Sequence, residues 1–386
     1  MFYTATDEEI KQGKTTDIYF DRAVQVIKEK KVDKWVKAEF RAKKLPKNYK
    51  WAVLGGAEEA LTLLEGKNVN VRILDEGTLF AAYDPVVEIE GMYTDFSVYE
   101  TALLGFLCEA SGITTKSARI RKVADEKTVL SFGTRRMHPT IAPMIERAAY
   151  IGGCDGFSVT LAGEKMGKKA SGTMPHALIL VFGDTVKAVK AFDEVIEKDV
   201  PRIALIDTFN DEKFETLRVA EALKERLNGV RLDTPSSRRG SMREILKETR
   251  WELDLRGYNH VKLYVSGGLD EENMKDIMEY ADGFGVGTSI SNAPTIDFAM
   301  DIMEIEGKPV AKKGKKSGPK SLLRCDRCLN SKVIPFTKQG GTCFCGGIMK
   351  DLLKPAIKEG KLIKTHPPVD EIRNYVLKQL KHCDIE

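Results

Sequence analysis

The sequence has little net charge: 61 lysines and arginines against 57 aspartates and glutamates leave +4 over 386 residues. So even a balance gives no general case for binding nucleic acid. No uninterrupted apolar stretch reaches about 18 residues, the length a membrane-spanning helix needs. The opening run from Met1 to Lys14 has no apolar core of the kind a secretory leader carries. Internal repeats are absent, and no Walker-type or dinucleotide-type glycine motif occurs in the required context. What is present, 42% hydrophobic and 31% charged residues, is enough for two domains with an appendage. The expectation is a cytoplasmic globular protein.

Seven cysteines are unevenly placed. Cys108 and Cys154 stand alone in apolar surroundings, as small buried hydrophobes do, and Cys383 lies near a polar terminus. The other four form Cys325-x2-Cys328 and Cys343-x1-Cys345, separated by fourteen residues. An intracellular chain uses such a cluster for metal rather than disulfides. Four thiolates from two turns suit a tetrahedral, structural Zn²⁺ with no open coordination position. An iron centre or unligated, redox-active thiols are the other readings.

The first hundred residues read as a mixed α/β region. Thr16 or Asp17 caps a helix through Tyr19, Ala23, Val26 and Ile27. A second helix covers Glu58–Glu65, strands cover Val69–Leu74 and Pro85–Glu90, and Tyr99–Ala110 reads as a buried helix. From Thr128 onward, short apolar strands alternate with helices: Thr128–Phe132, Phe157–Val159, Ile203–Ile206, Val230–Leu232, Val261–Val265 and Gly283–Val286. The helices between them are Ile141–Tyr150, Lys213–Leu227, Ser241–Glu248 and Glu271–Tyr280. Such alternation predicts a largely parallel sheet, closed as a barrel or doubly wound, with its chemistry at the C-terminal strand ends in either case. Ala311 to Lys320, with five lysines, two glycines and a proline, reads as a solvated linker. A short helix follows over Pro368–Lys381.

The strand ends carry the reactive side chains. Ser266-Gly267-Gly268 and Gly287-Thr288-Ser289 are successive strand-to-helix junctions whose backbone N–H groups can hold one phosphate between them. Asp207 and Asp233 each follow a strand. They can hold ribose hydroxyls, coordinate Mg²⁺ on a diphosphate, stabilise a developing positive charge, or simply cap helices. Arg135 and Arg136, with His138, offer a fork for an anionic group. His176 can be a nucleophile, a donor or a hydrogen-bonded turn residue. These alternatives leave the reaction open.

Three ordered segments carry a resemblance: Thr16-Asp17-Ile18-Tyr19, Phe132-Gly133-Thr134-Arg135-Arg136-Met137-His138-Pro139, and Gly172-Thr173-Met174-Pro175-His176. With them the chain resembles the nicotinate phosphoribosyltransferases, above all the compact archaeal form with a cysteine-bearing tail. The resemblance implies an α/β fold: an N-terminal α/β sandwich-like domain (1–105) and an irregular, incomplete α/β barrel (106–300). A return segment with the lysine-rich linker (301–320) would lead to a small zinc-knuckle C-terminal domain (321–386). It implies transfer of a phosphoribosyl group from phosphoribosyl pyrophosphate to nicotinate, forming nicotinate mononucleotide and pyrophosphate in NAD biosynthesis. Tyr19 would then sit against the pyridine ring and Arg231 would contact the base. Arg135, Arg136 and His138 would line the nicotinate pocket, Asp233 would hold the ribose, and Asp207 would lie near the base or the Mg²⁺-diphosphate. The glycine-rich junctions would hold the 5′-phosphate. His176 matches a histidine that ATP phosphorylates in the family, implying ATP as co-substrate. A homo-oligomer with the active site near a subunit interface is implied as well.

The competing enzyme readings are quinolinate and nicotinamide phosphoribosyltransferases. The contrasting class is a zinc-containing nucleic-acid-binding protein, for which the lysine-rich run lacks interleaved aromatics.

Overall fold

Short apolar runs ended by glycine, aspartate or serine become a six-stranded sheet: β1 (Thr128–Ser131), β2 (Gly156–Phe157), β3 (Ile203–Leu205), β4 (Gly229–Leu232), β5 (Lys262–Ser266) and β6 (Gly283–Val286). The structure, a computed structural model, describes residues 2–338 and 340–385. Its two compact units are Arg119–Ala293, which holds this sheet, and Met1–Ala118 with Pro294–Glu386.

All pairings in the six-stranded sheet are parallel, in the order β2-β1-β6-β5-β4-β3. With one exception, each strand therefore lies beside its successor in the chain, and β6 returns to β1. The one successive pair left apart is β2 and β3, so the strand cycle is that of a barrel with one seam open. Every residue of β3 and β6 is buried, as expected for parallel strands covered on both faces. The α/β class and incomplete closure agree with the expectation.

Local chemistry explains where the elements differ. The strand expected over Phe157–Val159 is only Gly156–Phe157, because Val159 already serves as N-cap of the helix Thr160–Met166. Two further helices, His176–Phe182 and Thr185–Val195, fill the connection to β3. The helix expected over Glu271–Tyr280 is Asn273–Ile277. Its start is delayed by Asp270, whose carboxylate accepts from the N–H groups of Glu272 and Asn273 at 3.0 Å each in a local turn that competes with helix.

The other unit draws on both ends of the chain. Its seven-stranded antiparallel sheet runs Lys308–Pro309, Phe298–Ile305, Trp35–Ala42, Val87–Met92, Val69–Ile73, Lys354–Lys358, Lys361–Leu362. Phe40, Ile73 and Ile89 are fully buried in its core with Leu107 and Ile357. The tail also forms a three-stranded antiparallel sheet of Ser331–Pro335, Lys320–Cys325 and Met349–Asp351. The C-terminal helix Val369–Leu380 is held by Gln379, which donates to the Gly77 carbonyl (2.9 Å) and accepts from the Leu79 N–H (3.1 Å). No helix among the described residues is long and apolar enough to cross a membrane.

The lysine-rich run is not the free linker its composition suggests. Lys315 and Lys312 reach Asp301 at 2.5 and 3.1 Å. Lys320 is only 6% exposed. Its ammonium donates to Glu39 Oε2 at 2.8 Å and to the carbonyls of Lys316 and Gly318 at 2.9 Å. A buried ammonium needs such a full set of acceptors.

Candidate functional site

The C-terminal ends of β1 to β6 gather most of the residues singled out in the sequence. On one side the elbows of β1 and β6 pack together. Phe132 N–H donates to the Val286 carbonyl and Ser291 Oγ to the Gly133 carbonyl, both at 2.9 Å. A Cβ on Gly133 would collide with the Gly287 carbonyl, so glycine permits this approach. Beyond it, the 3₁₀ turn Thr134–Arg136 presents Arg135 and Arg136. Both are exposed, and neither guanidinium has a hydrogen-bond or ion-pair partner among the described residues. His138 is exposed too, its Nδ1 accepting from the Thr140 N–H at 3.2 Å. Gly287 precedes the four-residue helix Thr288–Ser291, with Thr288 exposed and Ser289 half-buried.

A continuous polar chain crosses the ends of β3, β4 and β5. His176 Nε2 lies 3.2 Å from Asp207 Oδ1. Asp207 Oδ2 accepts from the Asp233 N–H at 3.1 Å, and Asp233 Oδ1 accepts from Ser266 Oγ at 2.7 Å. Gly267 follows with φ +90°, and a Cβ there would stand 3.1 Å from Asp233 Oδ1. Gly268 is also left-handed, at φ +70°. The capping alternative for the two aspartates does not hold, since Asp211 and Ser241 cap the helices that follow. Burial raises the Asp207 pKa above the ordinary carboxylate range; His176 opposes the rise and Asp233 adds to it.

Arg231, on β4, donates from Nη2 to the Met174 carbonyl at 3.2 Å, and its guanidinium lies 5.8 Å from the Phe132 ring centre. Its Nε is buried without a partner. Burial lowers its pKa, with Asp233 and Asp207 acting in the opposite sense. A cleft of about 630 Å³ opens beside Asp233, Gly267 and Gly268, and Arg239 and Arg243 line it. Sequence reasoning missed these two arginines and Thr234, whose Oγ1 lies 3.2 Å from Asp207 Oδ2. The signal was available in Thr234-Pro235-Ser236-Ser237-Arg238-Arg239, a polar run directly after a strand.

Tyr19 belongs to the other unit. It is 58% exposed, and its hydroxyl is 3.5 Å from Asp17 Oδ2. Asp17 occupies the N-cap position of the helix Ile18–Lys30 without a side-chain capping bond. Its carboxylate instead accepts from Thr101 Oγ1 at 3.0 Å.

The four tail cysteines converge. All four Sγ atoms lie within 4.8 Å of one another, and none forms a disulfide. Cys325–Cys345 and Cys328–Cys343 are 3.4 and 3.6 Å apart. A tetrahedron of thiolates about 2.3 Å from Zn²⁺ has edges of about 3.8 Å, so the donor set fits that ion.

The N-terminal and C-terminal domain models of quinolinate phosphoribosyl transferase match residues 17–111 and 113–301. A nicotinate phosphoribosyltransferase of Mycobacterium tuberculosis is 28% identical over 326 residues, 79% of this chain and 67% of that protein. One from Bacillus subtilis is 33% identical over 242 residues, 60% and 48% of the respective chains. The chain thus spans about two thirds of the first relative's length and about half of the second's. Among solved structures, nicotinate-nucleotide pyrophosphorylase from Pyrococcus furiosus is 55% identical, over 99% of this chain and 98% of that one, with a TM-score of 0.97.

Proposed function

This chain belongs to the nicotinate phosphoribosyltransferase family, and we propose that it transfers the phosphoribosyl group of phosphoribosyl pyrophosphate to the ring nitrogen of nicotinate. The products are nicotinate mononucleotide, an NAD precursor, and pyrophosphate. The observation that carries this reading is the polar chain from His176 through Asp207 and Asp233 to Ser266, on the same strand edge as the unpartnered Arg135 and Arg136.

Departure of pyrophosphate leaves an electron-poor anomeric carbon, which a nearby carboxylate stabilises. Asp233 takes the ribose hydroxyls, and the Gly267-Gly268 and Gly287-Thr288-Ser289 junctions take the 5′-phosphate. Arg135 and Arg136 hold the nicotinate carboxylate, with Arg231 and His138 beside the base. Because the ring nitrogen already has a lone pair, no strong general base is required, and catalysis is positioning and electrostatics. Mg²⁺ bound with the diphosphate substrate would neutralise the leaving group, and Asp207 is a carboxylate suited to it.

ATP coupling belongs to the same reading. With Nε2–H engaged by Asp207, Nδ1 of His176 keeps the lone pair. It accepts the γ-phosphoryl group of ATP, releasing ADP, and water later takes that group as phosphate. Tyr19 packs on the pyridine face and is supplied by a second copy in a homo-oligomer, while the four thiolates hold a structural Zn²⁺.

The matched domain models favour quinolinate as a second reading. Product analysis with phosphoribosyl pyrophosphate and Mg²⁺ separates the two, using nicotinate, nicotinamide and quinolinate in turn, each with and without ATP. Nicotinate mononucleotide with ADP release is expected, and His176→Ala should abolish the ATP stimulation. Product from quinolinate alone, with CO₂ released, would overturn the substrate assignment.

A further inference from the structure

Glu146 is a carboxylate with no exposed surface, on the helix Ala142–Ile151 that follows β1. Its Oε1 accepts from Thr134 Oγ1 at 2.8 Å, Ser158 Oγ at 3.0 Å and the Ser158 N–H at 3.2 Å. Its Oε2 is buried without a partner. Burying a carboxylate is costly even with donors present. The apolar face of the helix, with Ile145, Ala148, Ala149 and Ile151 buried, already fastens it to the sheet.

What the carboxylate adds lies past the strand ends, where the ladder supplies no bonds. The β1–β2 pairing stops at Ser131 and Phe157, and Glu146 ties together the two elbows beyond it. Thr134 opens the turn that carries Arg135 and Arg136, and Gly133 just before it is held by Ser291. The turn is thus anchored twice, while its two guanidinium groups stay free.

We propose that Glu146 is a positioning residue: by fastening Thr134 to Ser158 it fixes where Arg135 and Arg136 present their guanidinium groups to the anionic group of the base. The role rests on the reading of those arginines given above. Glutamine keeps one carbonyl acceptor at this position, whereas leucine fills the space and leaves three donors unsatisfied.

The test uses the full chain with Glu146→Gln and Glu146→Leu. It reads kcat, KM for nicotinate, KM for phosphoribosyl pyrophosphate, the melting temperature, and amide hydrogen exchange over residues 132–141 without ligand. Leucine should raise KM for nicotinate about tenfold. Its kcat and other KM should stay within about threefold of wild type, while exchange at 134–137 accelerates. Glutamine should restore most of the nicotinate KM. Equal losses in both variants, or a parallel decline of kcat and both KM values with melting temperature, would overturn the role. If the wild type neither binds nor converts nicotinate, the functional reading fails. The clamp is then judged on exchange alone, and unchanged exchange at 134–137 in the leucine variant refutes it.

Discussion

His176 Nε2 stands 3.2 Å from Asp207 Oδ1, so the long β2–β3 connection delivers an imidazole to the carboxylate that follows β3. The carboxylate is nearly sealed from solvent, with 3% of its side chain exposed, and burial is the largest cause of its raised pKa. The folded chain therefore holds this proton to a higher pH than the unfolded chain, whose ordinary value is 3.8. Folding weakens as pH climbs from there through the raised value and stays weakened above it. Asp207→Asn should melt above wild type at pH 7 to 8, with the gap closing as pH falls toward 4. Melting curves across that range check it; a gap that widens on acidification would contradict the assignment.

The contact between Gly133 and the Gly287 carbonyl makes a second prediction. Both partners are backbone, so neither can rotate away. Gly133→Ala should cost roughly 2–4 kcal/mol, seen as a lowered denaturant midpoint. Gly268→Ala, which meets nothing within 4 Å, should cost only the strain of its left-handed backbone, roughly 1–2 kcal/mol. Equal losses at the two sites would show that steric contact is not what matters at Gly133.

The thiolate cluster should bind about one zinc per chain. Metal analysis by mass spectrometry should find it in the purified protein and find it lost in Cys325→Ser. That variant and strong chelation should each lower the melting temperature. Retention of full zinc in Cys325→Ser would mean that the ion is held elsewhere.

Lys320 and Glu39 form a buried ion pair across 281 residues of sequence. Lys320→Met leaves Glu39 with Arg41, whose Nε is 3.3 Å from Oε1, but removes the ammonium from Oε2. Breaking one partner of a buried pair costs about 3–5 kcal/mol. The double variant Lys320→Met, Glu39→Gln, which removes the stranded charge but keeps a carbonyl acceptor for Arg41, should recover part of it. Urea denaturation of the two reads the difference, and no recovery would place the damage in packing instead.

The same pair shows why parts of the molecule escape a reading of the sequence. A run of lysines, glycines and a proline has the composition of a solvated linker, and nothing local signals an acceptor on a strand near the other end of the chain. The pairing of Lys354–Lys358 with Val69–Ile73 is equally invisible, because register between distant strands leaves no mark in either segment alone. The parallel sheet was legible, since each strand is a short apolar run stopped by its own elbow residue. Asp207, Asp233 and Ser266 were found for that reason. Glu146 was not: a single acid within an apolar helical stretch looks like a solvent-facing position. Only the fold reveals the three donors that surround its oxygen.

The chain's two units also differ in when they can be finished. Arg119–Ala293 is one uninterrupted segment, whereas the seven-stranded sheet needs both Trp35–Ala42 and Lys354–Lys358. During synthesis from the N-terminus, strands Val69–Ile73 and Val87–Met92 emerge well before Lys354–Lys358, and the outer edge of Val69–Ile73 stays unpaired until that partner has left the ribosome. Unpaired edges recruit other strands. Ribosome-bound chains halted near residue 340 should therefore protect the parallel sheet from protease while leaving the early strands cleavable, and truncation of the tail should cause aggregation through the seven-stranded antiparallel sheet rather than the parallel one.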